Sequence, residues 1–217
     1  MHRTESPLVV VAVLLAALAG FVDALAFTSL GGFFASFMSG NSTRLGVGLG
    51  TGETGVAAMA GALILSFVSG VILSSVIARA SGASHRHAVM AAVTLLLLAA
   101  AALGSFAPGP IVLLLLAGAM GTENGVFQRD GEVSIGLTYM TGSLVRMGQK
   151  LAGALMGDAE RWTWVPYLAL WAGFASGVVL GAAAQGRWGW YALWLAPVAS
   201  AVLTLVVARA GQRVRAV

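Results

Sequence analysis

The chain has 217 residues, 59% of them hydrophobic and only 9% charged, where an ordinary soluble domain carries about a quarter charged residues. With a mean hydropathy of +0.90, that excludes an ordinary soluble domain, and the lack of cysteine excludes disulfides, thiolate metal sites and thiol catalysis. The formal charge of +4 comes from basic residues near the ends of apolar runs, where they set membrane orientation rather than bind nucleic acid.

Apolar runs of membrane-spanning length recur from end to end and do not alternate as barrel strands would, so the expected class is an all-α, polytopic helical membrane protein. Segment A covers 7–30 and carries Asp23. Segment B, 31–50, contains Met38-Ser39-Gly40-Asn41-Ser42-Thr43-Arg44-Leu45-Gly46. C covers 56–79 and D covers 87–106. The series then restarts as A′ (110–127), B′ (133–156), C′ (164–185) and D′ (189–210). Arg3, the apolar run 8–18 and Ala19-Gly20 have the outline of a signal peptide. The same segment returns near residue 110, which a cleaved leader has no reason to do.

The restart is an internal repeat, 7–106 against 110–210, within a single membrane domain spanning 1–217. Ala16, Gly20 and Ala24 correspond to Ala117, Gly121 and Gly125 at an offset of 101, which sets Asp23 on Asn124. Met38 to Gly46 fall on Met140 to Gly148 at 102, and Phe67 to Leu73 on Phe174 to Leu180 at 107. D and D′ do not match convincingly. Small residues four apart mark helix faces that touch: Ala16/Gly20/Ala24, Ala117/Gly121/Gly125, Ser66/Gly70/Ser74 and Gly173/Gly177/Gly181.

Positive charges decide how many segments cross. If all eight cross, with a cytoplasmic N-terminus, the inside holds Arg3, Arg161, Arg209, Arg213 and Arg215, and the outside Arg79, Arg86, Arg129 and Arg187. That arrangement has no bias. If B and B′ each enter and leave on one side, and Arg44, Arg146 and Lys150 within them are left out of both counts, only Arg187 lies outside. The expectation is therefore six transmembrane helices plus two re-entrant or broken segments. Three crossings per half make the repeats inverted, with both termini cytoplasmic. Trp162 and Trp164 before C′, and Trp188 and Trp190 after it, suit the two interfaces. Inverted repeats with broken helices near mid-membrane describe several transporter and channel architectures.

The strings Gly20-Phe21-Val22-Asp23-Ala24 and Phe37-Met38-Ser39-Gly40-Asn41, with the overall length and spacing, resemble the YoaK-like family of bacterial membrane proteins. The resemblance covers nearly the whole chain. It implies a polytopic fold in the bacterial cell (inner) membrane and no particular substrate. Threonine is common in that family before the Gly-Asn pair. Ser39 keeps the hydroxyl here, and Thr141 fits the same role in the second repeat.

Asp23 falls on the small-residue face of its helix. A carboxylate within a span costs on the order of 2.5–3.5 kcal/mol and is by default a functional candidate. It reads as a proton or cation site, as a partner for Arg44, or as a structural hydrogen-bond acceptor for the B cluster, with Asn124 in the equivalent place. In B, Ser39 and Gly40 break the run, and Asn41, Ser42 and Thr43 are expected as helix caps, with Arg44 adding charge. B′ repeats this with Thr141, Gly142, Ser143 and Arg146. Two helix starts facing each other would suit a polar or anionic solute. Glu123 lies opposite the small-residue face of A′ and is expected to pair with Arg129 or Arg146.

His2, His85 and His87 all lie outside the spans, and no metal-ligand, haem, nucleophile-elbow or phosphate-loop motif occurs, so no enzyme, metal or cofactor is expected. Two functions compete. One is a small-solute transporter or channel with the solute between the breaks, and the other is a structural or interaction membrane protein whose polar residues pair locally. The expected partners are the lipid bilayer and that solute. A homodimer is expected on the weaker ground that a six-helix unit has spare small-residue faces.

Overall fold

The computed structural model describes residues 6–82, 85–129, 132–133, 138–158 and 160–215, with side chains described for 9–82, 85–127, 138–158 and 160–207. The protein is an all-α polytopic membrane protein. The helices are α1 (Ser6–Ser29), α2 (Met38–Thr51), α3 (Thr54–Ser81), α4 (His85–Phe106), α5 (Pro110–Glu123), α6 (Met140–Leu155), α7 (Val165–Trp188) and α8 (Leu195–Arg215). Pro110 opens α5 where a missing N–H is harmless, and Gly52, at φ +77, closes α2 in the left-handed conformation that glycine adopts freely. A 3-10 turn, Asn124–Phe127, continues α5, and another, Gly189–Trp194, joins α7 to α8. Gln128–Arg129 and Glu132–Val133 form a two-residue antiparallel ladder after α5.

Five stretches are long and apolar enough to cross a membrane: Val9–Ser29, Thr54–Ser81, His85–Phe106, Pro110–Phe127 and Val165–Val207. The last is 43 residues long and holds α7, its 3-10 turn and most of α8. Neither α2 nor α6 is among them. With 14 and 16 residues, they extend roughly 21 and 24 Å at 1.5 Å per residue, against a hydrocarbon core of about 30 Å.

The helices pair across the chain rather than along it. α1 packs chiefly on α7, and α3 on α5. α2 lies on α3, α6 on α7, and α4 between α5 and α8. Both main pairs are glycine seams running parallel. Along α1 and α7 a Cβ on Gly177 would collide with the Ala17 carbonyl, one on Gly20 with the Phe174 carbonyl, and one on Gly181 with the Phe21 carbonyl. Along α3 and α5 a Cβ on Gly70 would collide with the Gly118 carbonyl, one on Gly121 with the Phe67 carbonyl, and one on Gly125 with Ser74. Backbones meet this closely only where no side chain intervenes, and in lipid such contact supplies the dispersion energy that holds helices together. The four small-residue rows therefore meet one another in two pairs.

Polar bonds supplement the seams where helices carry hydroxyls. Ser66 Oγ donates to the Leu114 carbonyl at 2.6 Å, Thr94 and Ser200 share a 2.8 Å bond between α4 and α8, and Trp194 Nε1 donates to Ser105 Oγ at 3.0 Å. α1 and α5 are the innermost helices, carrying the fully buried Leu15, Leu25, Leu113, Leu116 and Met120.

Candidate functional site

The first break is a loop held by three polar side chains. α1 ends at Ser29, where Gly31 and Gly32 take φ of +64 and +75, a left-handed pair that only glycine adopts without strain. Gly32 N–H closes the turn on the Phe27 carbonyl at 3.1 Å. The chain then runs back along α1 until Ser36 stands beside Asp23, six residues or roughly 9 Å before the helix end. Asp23 Oδ1 accepts the Ser36 N–H at 2.6 Å and Oδ2 the Ser36 hydroxyl at 2.7 Å, both buried. The Asn41 side chain pairs with Phe34 as a strand neighbour would: Oδ1 accepts its N–H at 3.1 Å and Nδ2 donates to its carbonyl at 2.8 Å. Arg44 Nη1 donates to the Gly32 carbonyl at 2.9 Å, with the guanidinium 4.2 Å from the centre of the Phe33 ring. Irregular backbone at membrane depth persists only where protein satisfies it, and these three side chains do so.

α2 starts at Met38, earlier than the expected caps. Its N-cap, Phe37, makes no side-chain cap bond. Ser42 and Thr43 lie inside the helix and donate back to the Met38 and Ser39 carbonyls at 2.8 and 3.1 Å. Away from water, a hydroxyl on a helix finds its nearest acceptor in the preceding turn, so these residues satisfy themselves instead of capping. Asn41 holds the loop and caps nothing.

The second break has a related build. After the 3-10 turn and the short ladder, α6 starts at Met140 with Tyr139 as an N-cap lacking a side-chain bond. Asn124 Nδ2 donates to the Met120 carbonyl at 2.9 Å, and Asn124 Oδ1 accepts the Thr138 hydroxyl at 3.4 Å. Each inner helix thus catches a hydroxyl two residues ahead of the next helix start: Asp23 with Ser36, Asn124 with Thr138. Sequence reasoning missed Ser36 and Thr138. Their signal is the triplet hydroxyl–aromatic–Met, Ser36-Phe37-Met38 and Thr138-Tyr139-Met140, repeated at the offset of 102.

The two helix starts share a cavity of about 280 Å³, lined by Ser36 to Ser39 from the first break, Thr138 to Gly142 from the second, and Phe67 of α3. A larger cavity of about 600 Å³ has Ser36, Phe37, Thr138 and Met140 in common with it and extends past Asp23 between Phe27, Phe34 and Phe174. Of the sequence candidates, Ser39, Thr141 and Gly142 line the smaller cavity and Asp23 the larger. Gly40 sits under the Phe34 and Phe37 rings, where a Cβ would meet both. Ser143 is buried in the first turn of α6, its N–H bonded to the Tyr139 carbonyl at 3.0 Å.

Two arginines with one sequence position have different surroundings. Arg44 staples the loop, whereas Arg146 is exposed on α6, so neither lines the two cavities. Asp23 bonds Ser36 rather than Arg44. Glu123 is fully buried and makes no hydrogen bond among the described residues, so the expected pairing with Arg146 is not made; the Arg129 side chain lies outside the described residues. Arg44→Gln removes a charged donor and a cation–π contact, and is expected to cost about 1–3 kcal/mol of stability. Arg146→Gln should stay within about 0.5 kcal/mol. Thermal unfolding of both variants in detergent checks the difference.

What the cavity offers is two helix beginnings. The first-turn N–H groups of a helix lack intrahelical acceptors, and the helix dipole adds partial positive charge there. Neither α2 nor α6 has a side-chain cap on those donors. The chemistry suits an anionic group or a polar acceptor.

Residues 11–206 match the family model described as a protein of unknown function, DUF1275. The UPF0700 transmembrane protein RA0705 of Rhizobium meliloti (strain 1021) is 34% identical over 193 residues, covering 86% of this chain and 80% of the relative. The UPF0700 transmembrane protein YoaK of Bacillus subtilis (strain 168) is 27% identical over 159 residues, covering 70% of this chain and 71% of the relative. No solved structure matches.

Proposed function

Starting from the DUF1275 family of proteins of unknown function, to which this chain belongs, we propose a small-solute transporter or channel of the bacterial plasma membrane. A polar or anionic solute sits between the starts of α2 and α6. The observation that carries this reading is a cavity shared by two helix beginnings without side-chain caps. In this reading six helices cross (α1, α3, α4, α5, α7 and α8), α2 and α6 are re-entrant, and the halves 7–106 and 110–210 are inverted repeats with cytoplasmic termini. Support for the duplication comes from the reciprocal seams: Gly20 against Phe174 corresponds to Gly121 against Phe67, and Gly177 against Ala17 to Gly70 against Gly118.

A second reading, a structural or interaction protein that moves nothing, has its own support. Asp23, Asn41 and Arg44 all bond within the first break. Flux decides between them. A Cβ on Gly142 has nothing within 4 Å, so a side chain can start there in open space, and Gly142→Leu adds bulk at the cavity wall. In liposomes loaded with small anions and neutral polar solutes, the parent chain is expected to release at least one of them, and Gly142→Leu, equally folded, to release none. No flux from the parent chain across that set would favour the structural reading.

A further inference from the structure

The larger cavity, at about 600 Å³, falls within the roughly 300–1,000 Å³ of ligand pockets, and its walls have a chemistry of their own. Four phenylalanines line it: Phe27 of α1, Phe34 and Phe37 of the first break, and Phe174 of α7. The first three form a continuous aromatic wall. Ring centres lie 5.1 Å apart from Phe27 to Phe34 and 5.1 Å apart from Phe34 to Phe37, the second pair edge to face. Phe27 and Phe37 are also partly exposed, so this wall reaches the outer surface of the helices.

Asp23 is the one charged residue on these walls among the described residues, and it is buried at 3% exposure. Both its oxygens accept from Ser36, as an ionised, acceptor-only carboxylate does. No described Lys, Arg or His lines the cavity with it. Arg44, expected from the sequence as its partner, is bonded to the Gly32 carbonyl and lies over the Phe33 ring. A buried carboxylate without a counter-ion is costly, and within membrane spans such groups serve as counter-ions of ligands. A hard metal ion takes about six oxygen ligands, which a wall of aromatic rings does not offer. An organic cation is attracted by the ring faces themselves.

We propose that the larger cavity binds a lipophilic organic cation, a quaternary or protonated tertiary ammonium with an apolar substituent. Asp23 is its counter-ion, the phenylalanine rings attract its charged head, and the apolar remainder of the wall takes the substituent. The adjoining cavities therefore differ in sign: uncapped helix starts border the smaller, and a carboxylate borders the larger. This site does not depend on the transport reading, and its test involves no flux.

Binding of tritiated benzyltrimethylammonium to the full chain in a maltoside detergent is measured by scintillation proximity. Saturable binding is expected, displaced by the unlabelled cation. Benzoate, and neopentylbenzene, in which carbon replaces the charged nitrogen, should displace it at concentrations higher by about tenfold or more. Absence of saturable binding would overturn the proposal. Equal displacement by neopentylbenzene would overturn it too, since a site for lipid chains or detergent behaves that way. Asp23→Asn retains partners for Ser36 and should weaken cation binding by about tenfold or more, with a melting temperature near the parent's. Phe27→Leu combined with Phe174→Leu keeps the carboxylate and should weaken it by about three- to tenfold. Parent-like affinity in either folded variant counts against the proposal. The comparison of charged and neutral ligands on the parent chain decides the matter even where a variant folds poorly. Failure to find flux in liposomes would sink the transport reading and leave this result untouched.

Discussion

Gly177→Ala is expected to lower stability by about 3 kcal/mol, the upper part of the range for overpacked interiors, and to reduce the yield of folded protein sharply. The added Cβ would collide with the carbonyl of Ala17 on α1. A side chain in the way could rotate aside, but a backbone carbonyl within a helix is fixed by its own hydrogen bond. α1 and α7 must then separate along their whole seam, and dispersion contacts at Gly20 and Gly181 weaken together. Gly70→Ala meets the Gly118 carbonyl on the other seam and should cost a similar amount. Gly46→Ala is the control: a Cβ there has nothing within 4 Å, and a helical glycine replaced by alanine gains about 0.5–1 kcal/mol. Melting temperatures of the three variants in one detergent give the comparison.

Asp23→Ala and Asp23→Asn should part company. Alanine strands the Ser36 N–H and hydroxyl in a buried setting, at about 1–3 kcal/mol for each unsatisfied group, and frees the chain between Gly32 and Met38 from α1. Asparagine keeps an oxygen to accept the Ser36 N–H and gains an amide that can donate to the Ser36 hydroxyl. The chain already sets an asparagine against a hydroxyl elsewhere, where Asn124 Oδ1 accepts from the Thr138 hydroxyl. Asn should therefore fold nearly as well as the parent, and Ala should not. Amide hydrogen exchange at 33–37 is the discriminating readout: fast in the alanine variant, close to the parent in the asparagine variant.

Such contrasts explain which parts of the molecule were legible in the sequence. Glycines four apart announced close helix contact, because only small residues let backbones touch. They did not say which helix lies opposite, since Gly70 carries no mark of Gly118, and the pairing of α1 with α7 emerges only from assembly. The weakness of α2 as a crossing element was legible from its polar run and from the arginine count. The start of α2 was placed too late, at Asn41–Thr43, because capping preferences describe helices whose ends compete with water. Ser42 and Thr43 find their own helix instead, and Met38 begins it.

Asp23 stood out by its cost in lipid, yet its partner Ser36 is an ordinary serine in a short loop. Only its counterpart Thr138, at the same offset, gives it away. Arg44 and Arg146 hold the same place in two similar strings 102 residues apart but not the same environment, since one meets the Gly32 carbonyl and the other is exposed.

The claim on which the rest depends is that the beginnings of α2 and α6 share one cavity. The chain has no native cysteine, so Ser39→Cys with Thr141→Cys gives a clean pair, one on each side of the α4–α5 connection. With a protease site inserted at 107–109, a short bifunctional thiol reagent applied to the membrane-embedded protein should keep the two halves joined after cleavage, and Ser39→Cys with Leu155→Cys should not. Halves that separate fully with the first pair, under conditions where both thiols are labelled, would contradict the shared cavity.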